Sequence, residues 1–331
     1  MDMRGRVDFQ NEQAVIEGFE TPALNQIAPI LADIGLATPL AVADIKDGSG
    51  RVFRVDLADG SAVVLKHYDE TYKQHHVVSG ERYAELLLAN LDLPITRYLL
   101  QDESLTRLPY PFAITNHLSG VTVKSLAGEA DIADAWRAMG KLLRKLHAVP
   151  TPGYGKFGPD GVIDAKASNA EAMRGSFAYT FAQFRKYGGD EALAQQLEAI
   201  VADRFDTMTW SAGPVFAHHD FNPNNVLVDR DANGDLRLSG LIDFGNARAA
   251  DAVSDLAASI FFNEHEMPGS GSYILAGYGP IDHPDPEGAL WFYTLHHRLV
   301  MWWWLRHVGL IADGEKHDLI RDLEAMAATP R

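Results

Sequence analysis

The segment from Val215 to Gly245 constrains this chain more than any other. Two apolar runs, Val226–Val228 and Leu236–Leu241, flank Asn233-Gly234. Asn-Gly accepts the positive φ angles of a tight turn, so the two runs read as strands of one hairpin. A hairpin returns its ends to one place. Before it stands His218-His219-Asp220-Phe221-Asn222-Pro223-Asn224-Asn225, and after it Asp243-Phe244-Gly245. A carboxylate, an amide oxygen and a second carboxylate are thereby gathered at one end of the hairpin. Asp-Phe-Gly alone says little, because Asp before Gly is common in turns.

The surrounding sequence divides in two. Residues 22–35 have helical spacing through Leu24, Ile27, Ile30 and Leu31, and Ala41–Ile45, Val52–Leu57 and Ala62–Tyr68 read as strands. Asp59-Gly60 marks a hairpin turn between the last two. A helix is predicted around Val78–Leu91, then strands near Arg97–Gln101 and Pro111–His117. From about residue 130 helical patterns dominate. Trp136, Met139, Leu143 and Leu146 form a stripe that ends at Val149-Pro150, and further helices are predicted at 170–186, 190–206, 251–263, 287–309 and 315–327. The expected architecture is an α+β, bilobal chain: a small β-rich lobe over 1–114, a connector at 115–119 and a larger helical lobe over 120–331.

Composition narrows the function. The hydrophobic fraction of 47% supports a sizeable core, and the absence of cysteine excludes disulfides, thiolate metal sites and thiol nucleophiles. A net charge of −16 argues against a nucleic-acid partner, which demands a basic surface. The N-terminal residues lack the apolar core of a signal peptide, and Leu299–Leu305 is far shorter than the roughly 20 residues of a membrane span. A soluble cytoplasmic protein is expected, with no membrane partner; the sequence leaves its oligomeric state open.

Phosphoryl transfer uses the chemistry gathered at the hairpin. One carboxylate positions a hydroxyl and accepts its proton, while an Asn and an Asp supply hard oxygens for Mg²⁺ on the ATP phosphates. A phosphate-holding half is also present. Lys66 ends the apolar run Val63-Val64-Leu65, and Glu81 follows on the predicted helix, giving the strand-lysine and helix-glutamate pair that holds phosphates in kinases. In isolation Lys66 reads sooner as an edge lysine or a snorkelling side chain. Gly48-Ser49-Gly50, between two strands, offers backbone N–H groups to phosphate.

These residues resemble the aminoglycoside phosphotransferase family, the small-molecule branch of the protein-kinase-like fold that also contains choline, homoserine and fructosamine kinases. His218, Asp220 and Asn225 match its His-x-Asp-x-x-x-x-Asn pattern, and Asp243, Asp255-Leu256-Ala257, Leu146-His147 and Gly120 fall in its manner. The likeness spans roughly residues 20 to 310. It implies Asp220 as catalytic base, Asn225 and Asp243 as Mg²⁺ ligands, and Lys66 on phosphate, oriented by Glu81. It also implies ATP as phosphoryl donor, with adenine held by backbone groups of Asn116 and Leu118. Two positions depart from the family: Thr115-Asn116-His117 lacks a common acidic residue, and His219 stands where Gly is frequent. Glu85, one helical turn from Glu81, is the alternative partner for Lys66.

The acceptor expected is the hydroxyl of a small polar molecule. Only eleven residues separate Asp243 from Asp255, and Ala-Pro-Glu is absent, so no platform for a peptide is present. Glu264, Glu266, Asp282 and one of Trp302–Trp304 are candidate pocket walls, which favours a cationic amine-bearing alcohol. Packing on two sides of a helix is the competing reading of the tryptophans. Two other functions use the same residues: a metal-dependent phosphoesterase built on His218, Asp220 and Asp243, or a silent nucleotide-binding module. The first leaves Lys66 and Glu81 unused. The histidine pairs His75-His76 and His296-His297 are poor chelates on a helix and read as surface or core residues.

Overall fold

The computed structural model describes residues 21–45, 52–68, 77–312, 314, 315 and 317–331. Its N-terminal part is an antiparallel sheet in the order β1-β2-β3-β5-β4, built from β1 (Pro39–Asp44), β2 (Val52–Leu57), β3 (Ala62–His67), β4 (Tyr98–Asp102) and β5 (Phe112–Asn116). Gly60, at φ 84°, makes the turn predicted between β2 and β3. Strand side chains alternate between faces, so Val63 and Leu65 enter a core with Phe53, Val55 and the Ile27, Ile30 and Leu31 stripe of α1 (Leu24–Asp33). The same alternation turns Lys66 to the opposite face, toward α2 (Val77–Leu87).

The remainder is mainly helical: α3 (Ile132–Leu146), α4 (Asn169–Lys186), α5 (Glu191–Asp203), α6 (Ala252–Glu266), α7 (Ser270–Tyr278), α8 (Pro286–His307) and α9 (Asp318–Ala328). Two small sheets lie within it. One has the order β11-β10-β6, from β6 (Val121–Thr122), β10 (Val226–Arg230) and β11 (Leu236–Leu241). Here β10 and β11 are the hairpin predicted from Asn233-Gly234, with Gly234 at φ 86°. The other has the order β8-β7-β12-β9, from β7 (Tyr154–Gly158), β8 (Gly161–Lys166), β9 (Val215–Ala217) and β12 (Arg248–Ala250). No helix among the described residues is long and apolar enough to cross a membrane.

Sequence reading did not find β7, β8, β12 or α7. Tyr154-Gly155-Lys156-Phe157-Gly158 carries two glycines, β12 is three residues of Arg-Ala-Ala, and α7 is short with apolar residues around its circumference. Tertiary contacts hold them. Helices α3 and α7 approach closely enough that a Cβ on Gly140 would sit 2.1 Å from Ile274 O, and one on Gly277 would sit 2.1 Å from Arg137 O.

The central core lies beneath the polar loops. Phe157, Phe216, Phe221 and Phe244 meet Ala84 of α2, Leu88 just past its end, and Met139, Leu143 and Leu146 of α3. A second core joins α4, α5, α6, α8 and α9 through Phe184, Leu197, Phe292, Leu299 and Leu323.

Candidate active site

Lys66 Nζ lies 2.5 Å from Glu81 Oε1 and 2.9 Å from Asp243 Oδ1, which joins the sheet, α2 and the Asp-Phe-Gly turn through one cation. Burial alone would lower the lysine's pKa, but the carboxylates of Asp243 and Glu81 outweigh it and hold the group well above its usual value. Glu81 is fully buried, and its second oxygen accepts from the hydroxyls of Tyr68 and Tyr98. Burial and the Glu81 charge push both phenols up, so they stay protonated donors. Glu85 is engaged elsewhere, by Arg82 and by the backbone N–H of Tyr98 at 3.1 Å. Gly245 explains the close approach of the turn, since a Cβ there would lie 3.1 Å from Glu81 Oε1 and 3.3 Å from Asp243 Oδ1.

The loop carrying Asp220 is fixed from behind. Asp255, fully buried on α6, accepts the backbone N–H of His218 and of His219, each at 2.8 Å, and lies 3.0 Å from His147 Nε2. The far side of His147, Nδ1, is 2.8 Å from Tyr278 OH. This buried relay holds His219 at φ 62°, a left-handed angle that glycine adopts without cost and that side chains adopt only when over-determined. His218 bonds through Nε2 to the Ile242 carbonyl at 3.0 Å, tying the loop to the returning strand of the hairpin. That bond spends Nε2, while the buried Nδ1 has no hydrogen-bond partner among the described residues. Asp255 was legible only as a family signature; nothing in the sequence gives it this bracing contact.

Asp220 and Asp243 have opposite electrostatic fates. Desolvation and the negative charge of Asp243 raise Asp220 to about 7, against hydrogen bonds from Asn222, Asn225 and Asn246 that favour the carboxylate. Lys66 lowers Asp243, which stays ionised in spite of its own desolvation. Asn225 spends its amide nitrogen on Asp220, 2.9 Å from O and 3.2 Å from Oδ2. Its Oδ1 accepts no bond from a described residue, and together with the Asp243 carboxylate makes an oxygen-only donor pair. Mg²⁺ takes one or two protein ligands of this kind and completes its shell with phosphate and water, so the pair fits that ion. Among the described residues no three His, Cys, Asp or Glu side chains converge as a self-sufficient metal cage.

The profile of the phosphotransferase enzyme family matches residues 42–292, more than half of the chain. The chain belongs to the phosphotransferase enzyme family. No curated protein matches it significantly in sequence. Solved structures of this phosphotransferase's fold include a thermostable mutant of aminoglycoside phosphotransferase APH(4)-Ia in ternary complex with ADP and hygromycin B, 20% identical, covering 91% of this chain and 97% of that one with a TM-score of 0.70. The macrolide 2′-phosphotransferase MphH from Brachybacterium faecium is 19% identical, covering 93% and 98% with a TM-score of 0.59. The GDP complex of an aminoglycoside 2′-phosphotransferase-IIIa mutant is 15% identical, covering 92% and 94% with a TM-score of 0.61. At these identities the likeness is one of fold.

Other expected site residues of the phosphotransferase fall differently. Gly48, Ser49 and Gly50 lie outside the described residues, as do His75 and His76. At the connector the Asn116 N–H is spent on Arg97 O at 3.0 Å, and Asn116 Oδ1 accepts the Arg97 N–H at 2.7 Å. Its carbonyl takes a long 3.4 Å bond from Thr115 Oγ1, and the Leu118 N–H has no backbone partner among the described residues. Two of the three carboxylates expected as pocket walls have partners in the structure. Glu264 accepts the backbone N–H of Gly269 at 2.9 Å and of Gly271 at 2.6 Å, Glu266 pairs with Lys124 at 2.5 Å, and Asp282 is exposed. The tryptophans pack instead: Trp302 on Phe184 of α4, with ring centroids 4.5 Å apart, and Trp303 between Tyr179 and Tyr187. His296 and His297 are buried.

Proposed function

We propose that this phosphotransferase moves the γ-phosphoryl group of ATP to a hydroxyl of a small polar molecule, with Mg²⁺ as cofactor. One observation carries the reading: Lys66 is held between Glu81 and Asp243, and the Asp243 charge reaches Asp220 on the adjoining loop. ADP beside hygromycin B in the APH(4)-Ia relative supports a nucleotide and a small hydroxylated acceptor bound together. The division of labour places the nucleotide against residues 1–114, the connector at 115–119 and the acceptor against 120–331.

Lys66 binds the phosphates of the nucleotide as a fixed cation, and Glu81 keeps its ammonium from swinging away. Gly48, Ser49 and Gly50 cover the phosphates with backbone N–H groups. Adenine sits at the connector, where the Asn116 carbonyl and the Leu118 N–H are the groups left to meet it. Asn225 and Asp243 would hold Mg²⁺, which when bound would neutralise charge on the phosphates. Asp220 orients the acceptor hydroxyl. As the acceptor oxygen bonds to the γ-phosphorus, the bond from that phosphorus to the bridging oxygen breaks, ADP departs, and the hydroxyl proton passes to Asp220. A pKa of about 7 suits this role, because a base near the working pH can both take and release the proton.

The test is coupled ADP release with and without acceptor, over amino alcohols, amino sugars, sugars and hydroxy acids. Acceptor-dependent release that vanishes in Lys66→Ala supports the proposal. Phosphate-ester hydrolysis without nucleotide would support the phosphoesterase reading instead.

A further inference from the structure

Arg248 sits at the centre of the β8-β7-β12-β9 sheet. It pairs directly with Lys156 on β7 and with Ala217 on β9. Residues directly opposite each other on an antiparallel ladder project to the same face, so the two cations lie side by side. The other face is filled by Phe157, Phe216 and Ala249 in the central core. Like charges directly opposite are destabilising unless something neutralises them. Most buried or half-buried arginines elsewhere in the chain have carboxylate partners, such as Arg82 with Glu85, Arg185 with Glu198 and Arg298 with Asp322. Among the described residues no carboxylate lies within ion-pair distance of Arg248 or Lys156. The bond Arg248 makes is from Nε to the Asn246 carbonyl, at 3.2 Å. In a chain with 45 acidic residues against 29 Lys and Arg, leaving this pair without a counter-charge requires a reason.

The pair adjoins the reaction centre. Arg248 follows the Asp243-Phe244-Gly245 turn by three residues. Ala217, beside Arg248, is two residues before His219 and three before Asp220. The His219 ring, half-buried and without a hydrogen-bonded partner among the described residues, lies 5.3 Å from the ring of His297 on α8. His297 is engaged by Ser254 O at 3.1 Å and His296 by Ser176 Oγ at 2.8 Å. Burial keeps the rings of His219 and His296 low, with Arg248 adding to it at His219, and His297 and Arg248 adding to it at His296, so neither ring brings a further positive charge beside Arg248 and Lys156. Asp255, the buried anion whose charge acts on Arg248, is already occupied by two backbone N–H groups and His147.

We propose that the acceptor carries an oxyanion, a carboxylate or phosphate ester, that Arg248 and Lys156 bind while its hydroxyl lies at Asp220. This rests on the phosphoryl-transfer reading above and replaces the cationic acceptor that the acidic residues of the C-terminal part led one to expect. Arg248 offers a planar fork for two oxygens, and Lys156, exposed at the mouth of the face, adds a point charge.

The experiment is an acceptor screen in matched sets: glycerate, glycerol phosphate, glyceramide and aminopropanediol, then gluconate, glucose 6-phosphate, glucose and glucosamine. Turnover confined to oxyanion-bearing members is expected, with the carboxylate and phosphate arms separating the two sources. Arg248→Gln should raise the KM of that acceptor about 10- to 100-fold, the scale of a charged hydrogen bond, while the KM for ATP moves less than twofold. Lys156→Gln should raise it less. A second readout does not depend on the panel: with AMP-PNP saturating, inorganic phosphate should raise the Tm of the wild type by a few degrees and that of Arg248→Gln by less than half as much. If Arg248→Gln does not fold, the exposed Lys156→Gln variant serves for both measurements. Equal turnover of amines or neutral alcohols, an unchanged acceptor KM in the variants, or no difference in the phosphate shift would overturn the proposal. Loss of all Asp220-dependent ADP release, by contrast, would overturn the phosphotransfer reading itself.

Discussion

Replacing Asp220 by asparagine separates what the residue does for chemistry from what it costs the fold. Its carboxyl rises from 3.8 to about 7 on folding, through desolvation and the charge of Asp243. Between those values the folded state holds a proton that the unfolded state has lost, so stability falls as pH rises. The contribution is whole below about 4 and gone once pH has passed through about 7. At about 1.4 kcal/mol per unit, the ceiling is about 4 kcal/mol. The substituted side chain would also set an amide N–H against the amide of Asn225, at the 3.2 Å position, for a loss of about 1 kcal/mol. With partial solvent access to the loop, a net gain of about 2 kcal/mol above pH 7 is expected. The assay is urea or thermal unfolding of Asp220→Asn and wild type from pH 5 to 9. The difference should grow up to pH 7 and then level, while kcat falls by about 10²–10⁴, the scale for loss of a general base. A stability difference that ignores pH, or near-normal turnover in the variant, would refute the assignment of a raised carboxyl to the base.

Three further outcomes are expected. In a double-mutant cycle Glu81→Gln should cost activity in the wild type and little in Lys66→Ala, whereas Glu85→Gln should add to Lys66→Ala independently. Activity should require Mg²⁺ or Mn²⁺, and Asp243→Ala should abolish the metal-dependent tightening of ATP binding seen by calorimetry; turnover in full EDTA would contradict both. Gly140→Ala should destabilise the chain by about 3 kcal/mol in urea unfolding, since a Cβ would meet the α7 backbone, which cannot rotate aside as a side chain can.

The parts of the fold legible in the sequence were those with a local signal. Asn233-Gly234 fixed its hairpin, Asp59-Gly60 another, and the Trp136–Leu146 stripe a helix, because turn chemistry and amphipathic spacing act over a few residues. Helix α7 and strand β12 were not legible, being held by partners distant in sequence: Gly277 by Arg137, Arg248 by Lys156 and Ala217. The same division runs through the candidate site. A strand lysine followed by a helix glutamate is a spacing, and the structure joins Lys66 to Glu81. The bracing of two backbone N–H groups by Asp255 is a through-space fact, as is the lack of a counter-charge for Arg248 among the described residues. Acidic residues near the C-terminus show the same limit. A carboxylate in the sequence announces a charge but not its partner, and Glu264 and Glu266 already have theirs.

In protein kinases the lysine–glutamate pair is a regulated contact, made or broken by moving the helix that carries the glutamate. Here Glu81 is gripped by Lys66 and by two tyrosine hydroxyls, and its helix is seated so tightly on the larger part that a Cβ on Gly80 would lie 2.8 Å from Phe157 O. Gln101 Nε2 donates to the Val78 carbonyl at 2.6 Å and fastens the same helix to the sheet. Rotating it outward would strand a buried carboxylate and two buried phenols at once. With Lys66 and Glu81 as the proposed phosphate clamp, such an enzyme has no resting posture there: the proposal makes it switched on as folded, its output set by how much donor and acceptor reach it.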